Sequence, residues 1–455
     1  MIRNIIIVSA VSIVMSGCHI YRAYERPDVT SVVDSIYRQP VAVDDTVSLA
    51  SLSWEQLFTD ANLQELIRYG LDNNTDLSVA RLKVEEAEAL LMTSRLSYLP
   101  SITLSPEGTI TSVGGGEASK KYDIAASADW EIDLFGKLLN AKRGAQAALE
   151  QSDAYRQAVQ TQLVATIANS YYTLLVLDEQ LKITQETAET WTESLRTMKA
   201  LKCAGQATEM AVAQTEAAKL SVDASVLSIQ RQISEMENSL SALLGKAPQA
   251  IVRGTLSEQI FPDSLSTGVP LQLLSRRPDV RQSEAQLAVA YYATNSARSA
   301  FYPSITLGGS AGWTNSAGAV VANPGQWLLT AVGSLVQPIF NKGKNIANLK
   351  IAKAQQEEAL LMFRQSLLDA GTEVNDALVQ WQTAKERIIL DEQQAASLKS
   401  ALKSSELLMK YSSQNYLEVI TARQSLLQAE LNTVADRFDE IQGVINLYHA
   451  LGGGY

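Results

Sequence analysis

The chain has 455 residues and a formal net charge of −11, long enough for a substantial core and for about three domains. An acidic chain without a basic stripe excludes nucleic acid as the expected partner. His19, His449, Cys18 and Cys203, the only histidines and cysteines, offer neither a zinc cluster nor a Cys/His nucleophile, so no metal site, no catalytic residue and no enzyme is expected.

The chain opens on a signal-peptide pattern over 1–17. Arg3 supplies the positive start, Ile5–Val14 the apolar core, and Ser16-Gly17 the small residues before a cut. Met15-Ser16-Gly17-Cys18 resembles a lipoprotein signal box, which implies that Cys18 is acylated and that the covalent lipid anchors the chain. An incidental cysteine behind a plain secretory signal is the alternative. Residues 18–53 are poorly periodic and read as a lipidated, extended arm. No later stretch has the roughly 18 uncharged apolar residues that a transmembrane helix needs.

A first repeat is expected over 54–250. Trp54–Leu71 reads as a short helix and Asp76–Leu99 as a longer one stopped by Pro100. The hairpin 101–135 follows, its strands Ser101–Ser112 and Tyr122–Phe135 joined through Gly114-Gly115-Gly116. In the second strand the even positions from Tyr122 to Leu134 are apolar, while the odd ones include Asp123, Asp129, Glu131 and Asp133. Such alternation fits a strand with lipid on one side and water on the other; a half-buried strand of a soluble sheet fits equally. A helical hairpin over 136–245 comes next, turning near Gly205 and capped by Gly245 before Pro248. Cys203, without a partner, falls in that turn.

Ile251–Pro270, within the segment 251–270, reads as a linker. The plan then recurs over 271–455, with a hairpin at 304–340 and a helical hairpin at 343–451. Pro100-Ser101-Ile102-Thr103 returns as Pro303-Ser304-Ile305-Thr306, and Asp133-Leu134-Phe135-Gly136-Lys137 has its counterpart in Pro338-Ile339-Phe340-Asn341-Lys342. A period of about 200 residues implies duplication of a helix–hairpin–helix–helix module rather than a solenoid. The last helix carries a heptad seam through Leu417, Ile420, Gln424, Leu427, Leu431, Val434, Phe438, Ile441, Ile445 and Tyr448. The fold expected is therefore mainly α with a small β membrane part. Four strands cannot close a barrel in a membrane, and an open edge cannot face lipid. Three copies would supply twelve strands, continued by a long periplasmic α-helical barrel.

Several stretches also resemble one family, the TolC-like outer-membrane factors in their lipoprotein (OprM/NodT-type) branch. They are Arg276-Arg277-Pro278-Asp279-Val280-Arg281, Phe301-Tyr302-Pro303-Ser304-Ile305, Trp130-Glu131-Ile132-Asp133-Leu134-Phe135-Gly136 and the ending Leu447-Tyr448-His449-Ala450-Leu451-Gly452-Gly453-Gly454-Tyr455. The resemblance implies a homotrimeric duct in the bacterial outer membrane. It would be fed by a periplasmic adaptor and an inner-membrane pump, a proton-driven one being the expected case. The cargo would be small amphiphilic compounds, with protein or peptide secretion and a pore-less structural lipoprotein as alternatives. The resemblance also places the periplasmic gate near Leu417, Glu418 and Thr421, with Thr421 where the branch often has Asp. Apart from the resemblance, Leu417 is equally a seam residue and Glu418 a solvated one. Asp123, Asp129, Glu131 and Asp133 are candidate lumen acids, or simply part of a hydrated wall.

Overall fold

The computed structural model describes residues 21–29, 49, 52–115, 118–261, 276–314, 326–411 and 416–453. The signal peptide, Cys18, most of the arm, the loop 316–325 and the turn Ser412–Asn415 lie outside the described residues. The stretch read as one short helix is two, α1 (Trp54–Leu57) and α2 (Ala61–Asn73). They separate because the Asp60 carboxylate accepts the Asn62 and Leu63 N–H groups and so starts a new helix. After α2 comes α3 (Thr75–Leu96), then β1 (Ser101–Thr111) and β2 (Ser119–Ile132). The long helices α4 (Lys137–Cys203) and α5 (Glu209–Leu243) complete the first half.

The second half runs α6 (Pro278–Ser299), β3 (Ser304–Thr314), β4 (Gln326–Val336), α7 (Lys344–Tyr411) and α8 (Tyr416–Ala450). Matching elements are nearly equal in length: α4 and α7 have 67 and 68 residues, α5 and α8 have 35 each. Neither α4 nor α7 contains a proline, so the hydrogen-bond ladder continues for about 100 Å at roughly 1.5 Å per residue. At the turn between α4 and α5, Gly205 adopts φ +73. The Gln206 N–H donates to the Leu201 carbonyl and the Gly205 N–H to that of Lys202, closing the helix end as a Schellman motif. The second strand of each hairpin ends earlier than its apolar pattern suggests, β2 at Ile132 and β4 at Val336.

Packing divides the chain into two compact units that each draw on both sequence halves, rather than into the two halves themselves. One comprises 1–28, 82–154 and 281–365, the other 29–81, 155–280 and 366–455. The first holds a four-stranded antiparallel sheet in the order β1-β2-β3-β4. Its strands show side chains to solvent on both faces, and β1 is exposed along its whole length.

The second unit contains the main apolar core. Phe58, Leu63, Ile67, Tyr171, Tyr172, Leu240, Val444 and Ile445 are buried together there. Phe58 packs edge-on against Tyr448 with ring centroids 6.3 Å apart, and the Tyr448 hydroxyl donates to the Leu52 carbonyl at 2.8 Å. Residues 251–261, read above as linker, are part of this packing. Ile251 and Leu256 are buried, and Arg253 forms ion pairs with Asp178 and Glu237 at 2.5 and 2.6 Å. Arginine's planar fork suits two carboxylates at once, so this segment is fixed by its charge partners despite a composition typical of a loop.

Two of the sequence's most distinctive stretches meet in the same unit. Arg277 is 3% exposed. Its guanidinium donates to Asp279 at 2.9 and 2.5 Å and to the Ala450 carbonyl at 3.0 Å, and it pairs with Glu373 at 2.7 Å. A Cβ on Gly452 would lie 2.8 Å from the Arg276 carbonyl, so only glycine lets the C-terminal turn lie against this backbone. Burial, and next the Arg277 charge, hold the His449 imidazole below its ordinary pKa.

The seam of α8 is observed in its later part, while Leu417 and Gln424 at its start are exposed. Ile420, Val434, Ile441, Ile445 and Tyr448 are buried, whereas Leu417 is exposed. Asp436, absent from the apolar pattern, is 1% exposed. It pairs with Arg387 of α7 at 2.8 Å, while the carboxyl of Asp391, one turn further along α7, lies against it. Burial, reinforced by Asp391 and opposed by Arg387, pushes the Asp436 pKa up to about 6.

Two stability predictions follow from these pairs. Arg277→Ala strands the Ala450 carbonyl and uncouples two carboxylates, so it should cost about 3 kcal/mol in denaturant unfolding; a loss within error of zero would contradict the assignment. For Asp436 the folded state holds the proton more tightly than the unfolded one. Its contribution is therefore fully present below the unfolded value of 3.8 and is lost as pH rises through about 6. Asp436→Asn should gain stability relative to wild type on going from about pH 4 to about pH 7, and a pH-independent difference would refute this.

Candidate functional site

In a strand, alternate side chains lie on opposite faces, and directly paired residues of neighbouring strands share a face. The register therefore extends the alternation of β2 across the sheet. Asp129 pairs with Ser101 and Gly308, Ser127 with Thr103 and Ser310, Asp123 with Glu107 and Thr314, and Glu131 with Thr306. On β4 the same face carries Thr330 and Ser334, but also Leu328 and Val332. One face is thus polar, with its weakest stretch at β4.

The opposite face is apolar apart from Lys120, which pairs with Ile110 near the hairpin turn. It carries Ile102, Leu104 and Ile110 on β1, Ile124 and Trp130 on β2, Leu307 and Trp313 on β3, and Trp327, Leu329 and Leu335 on β4. Ile102 is 78% exposed and Leu329 83%, so none of the described residues covers this surface. A continuous exposed apolar face of this kind marks contact with lipid or a partner. Tryptophans bracket it. Trp130, paired with Leu307, stands at one end, where its indole N–H donates to the Tyr98 carbonyl at 2.9 Å. Trp313 and Trp327 pack together at the other end, with centroids 4.7 Å apart. From Leu307 to Trp313 is six residues, or about 20 Å, close to the roughly 25 Å apolar band between the aromatic girdles of outer-membrane barrels.

The four candidate lumen acids differ in their surroundings. Asp123 pairs with Lys121 at 2.9 Å and Glu131 with Lys137 at 2.7 Å. The Asp129 carboxylate lies over Gly308, where a Cβ would come within 2.9 Å of it. Asp133 falls beyond the end of β2, so the alternation does not set its direction. Its carboxylate instead accepts the Leu139 N–H at 2.7 Å, at the start of α4, where an anion meets the positive end of the helix dipole. Three of the four therefore share the polar face.

At the start of α8, Leu417, Glu418 and Thr421 are all exposed, with Leu417 at 54%. The Thr421 hydroxyl donates back to the Leu417 carbonyl at 2.9 Å. Behind them Val419 and Ile420 are buried. Between these two faces stands Arg423, which the seam pattern does not single out. It donates to the Thr190 carbonyl at 3.1 Å and the Ser194 hydroxyl at 2.6 Å, both on α4, and to Glu406 of α7 at 2.6 Å. Its guanidinium also lies 5.8 Å from the Trp191 ring centroid. One side chain so ties three helices together. The sequence signal available was only an arginine three residues after the seam's Ile420.

Comparison with known proteins agrees with this construction. The profile of the family described as Outer membrane efflux protein matches residues 66–246 and 269–453. The chain is 28% identical over 450 residues to the cation efflux system protein CusC of Escherichia coli, covering 98% of this chain and 97% of that one. It is 28% identical over 472 residues to the toluene efflux pump outer membrane protein TtgC of Pseudomonas putida, covering 100% and 96%. Among solved structures it is similar to the outer-membrane channel OprN, with a TM-score of 0.86 and 25% identity over 96% of this chain and 99% of that one. The relatives are efflux and channel proteins, not enzymes. The chain belongs to the outer membrane efflux protein family and is the outer-membrane channel component of an efflux system.

Proposed function

We propose that three copies of this chain close a twelve-stranded barrel and pass small amphiphilic compounds through it without an energy source of their own. The observation that carries this reading is the sheet: one face polar, the other exposed, apolar and bracketed by tryptophan, with β1 and β4 as unpaired edges. Lipid forbids such edges, and pairing the β4 edge of each copy with the β1 edge of the next removes all of them. The long helices then supply the periplasmic part of the duct, which receives cargo from a periplasmic adaptor and a proton-driven inner-membrane pump. The likeness to TtgC supports organic amphiphiles as cargo; the likeness to CusC supports metal cations as the second reading.

In this reading Cys18 carries the lipid. The described residues just after it favour that placement, because they are clamped to the sheet-bearing unit. Arg26 makes a two-point ion pair with Glu284 at 2.7 and 2.6 Å, the Tyr24 N–H donates to the Tyr292 hydroxyl, and Tyr21 lies against Gly136 at the foot of the first hairpin. Cys18 is three residues from Tyr21, at most about 10 Å of chain. Leu417 supplies the apolar constriction, with Glu418 and Thr421 beside it, and Arg423 holds it shut by tying α8 to α4 and α7. Asp123, Asp129 and Glu131 line the lumen, with Asp129 the acid that no lysine neutralises there, and Asp133 stands at the lumen's helical end.

The first test is accumulation of a fluorescent amphiphile, set beside copper sensitivity, in cells with and without the protein. Raised dye retention at unchanged copper tolerance supports organic cargo; the reverse result replaces it with cations. In planar bilayers, Arg423→Ala should raise the resting conductance, and an unchanged conductance would remove Arg423 from the closure. Asp129→Asn should lower cation preference in reversal-potential measurements at about 0.1 M salt, where the screening length is about 10 Å, and have little effect at about 1 M; anion preference in the wild type would contradict the acidic lumen.

A further inference from the structure

The internal repeat turns one contact inside the chain into a guide to a contact outside it. In the sheet-bearing unit, which contains 82–154 and 281–365, α6 meets α4 in antiparallel sense. A Cβ on Gly144 would stand 3.5 Å from that of Tyr292, and the Gln151 side chain donates to that of Gln286. At the sheet end Phe135 stacks on Tyr302, with ring centroids 5.1 Å apart. In the repeat α6 corresponds to α3, shifted as Pro303 is from Pro100. Likewise α4 corresponds to α7, shifted as Lys137 is from Lys342.

On α6 the positions in line with Tyr292 and Tyr302 are largely buried, namely Ala285, Ala288, Asn295 and Ser299. Their counterparts on α3 are Leu82, Glu85, Met92 and Leu96. With Ala89 and Leu99 these form a seam of alternating three- and four-residue steps, the spacing of one helix packed along another. All six are exposed, and Leu82, Met92, Leu96 and Leu99 each by more than half. A largely apolar seam left open in this way marks a face that another helix covers.

Carrying the α4–α6 contacts through the repeat gives α7 as that helix. Tyr292 over Gly144 becomes Ala89 under Leu349, so the large and small side chains change sides and the space is kept. Ala288 and Ala148, in line with that pair, become Glu85 and Lys353, a carboxylate facing an ammonium. Tyr302 and Phe135 become Leu99 and Phe340, and Asn295 and Ala141 become Met92 and Ile346. Phe340 and Ile346 are 84% and 57% exposed, so the chain does not cover this face of α7 itself.

We propose that the α3 seam docks on α7 of the next copy in the register of the α6–α4 contact, with Ala89 against Leu349 and Glu85 paired with Lys353. This inference rests on the three-copy reading above and extends it from the strand edges to a helix face. Because one patch meets a different patch, the contact repeats head to tail and closes as a ring.

Paired cysteines test the register in membranes of cells making the full-length protein. Cys203, exposed and unpaired, is first replaced by serine. Ala89→Cys with Leu349→Cys, and Glu85→Cys with Lys353→Cys, should form disulfides between copies under copper phenanthroline, since a disulfide needs Cβ atoms about 4 Å apart. The mismatched combinations, Ala89→Cys with Lys353→Cys and Glu85→Cys with Leu349→Cys, lie one helical turn out of register and should give several-fold less. Glu85 and Lys353 are both exposed, so their pair remains readable even where a change at Leu349 disturbs folding. Native mass of the detergent-extracted protein separates the two levels of the argument. A three-copy mass with no coupling, or with matched and mismatched pairs coupling equally, overturns the α3–α7 register and leaves the barrel. A mass other than three copies overturns both.

Discussion

In hydrocarbon an unpaired backbone N–H or C=O has no water to turn to, and each such group costs several kcal/mol. The four-stranded sheet has two edges, each an eleven-residue strand, and this requirement governs most of what the chain does. It accounts for a sheet whose faces segregate into polar and apolar, with no helix among the described residues covering the apolar side. It also accounts for the order β1-β2-β3-β4, which leaves the first and last strands free to meet those of other copies. Within the sheet the close approach of β2 and β3 depends on glycine. A Cβ at Gly312 would sit inside the contact radius of the Ile124 carbonyl, and one at Gly308 would crowd the Asp129 carboxylate. Gly312 thus lets the two backbones approach, and Gly308 makes room for Asp129.

The helical unit is held in a different way. Its apolar core is continuous around Phe58, Tyr171, Tyr172 and Tyr448, but a few buried charges choose the register of the helices. Arg277 joins the start of α6 to α7 and to the last turn of α8, while Arg387 and Asp436 join α7 to α8 further along. Apolar seams of alanine and leucine can slide with little penalty, whereas a buried guanidinium or carboxylate that loses its partner cannot. The Arg423 cluster is the same device at the start of α8, set beside a smaller apolar cluster of Trp191, Ala218, Val222 and Ile420.

The alternation that placed Asp123, Asp129 and Glu131 on one face was legible because strand period alone sets the face. Long helices were legible because proline-free stretches of Ala, Leu, Gln and Glu have few other outcomes. The repeat was legible in Pro100-Ser101-Ile102-Thr103 and its copy. What failed to show was local or distant in a specific sense. The break between α1 and α2 turns on the Asp60 side chain accepting two N–H groups, and the end of β2 before Asp133 turns on that carboxylate being drawn to α4. Ile251–Pro270 has the composition of a linker, yet its first part is fixed by Arg253 reaching Asp178, 75 residues away.

By itself, then, the sequence determined periodicity: which segments are helix or strand, which strand face is polar, and that one module occurs twice. These follow from interactions between residues a few positions apart, which a pattern can register. The tertiary structure decided which charged side chains are buried and with whom. Asp436 and Arg423 sit in a heptad pattern that marks neither of them, and Leu417 follows the apolar seam yet faces outward. Burial of a given side chain depends on which helices converge on it across one to several hundred residues, and no local period encodes that convergence.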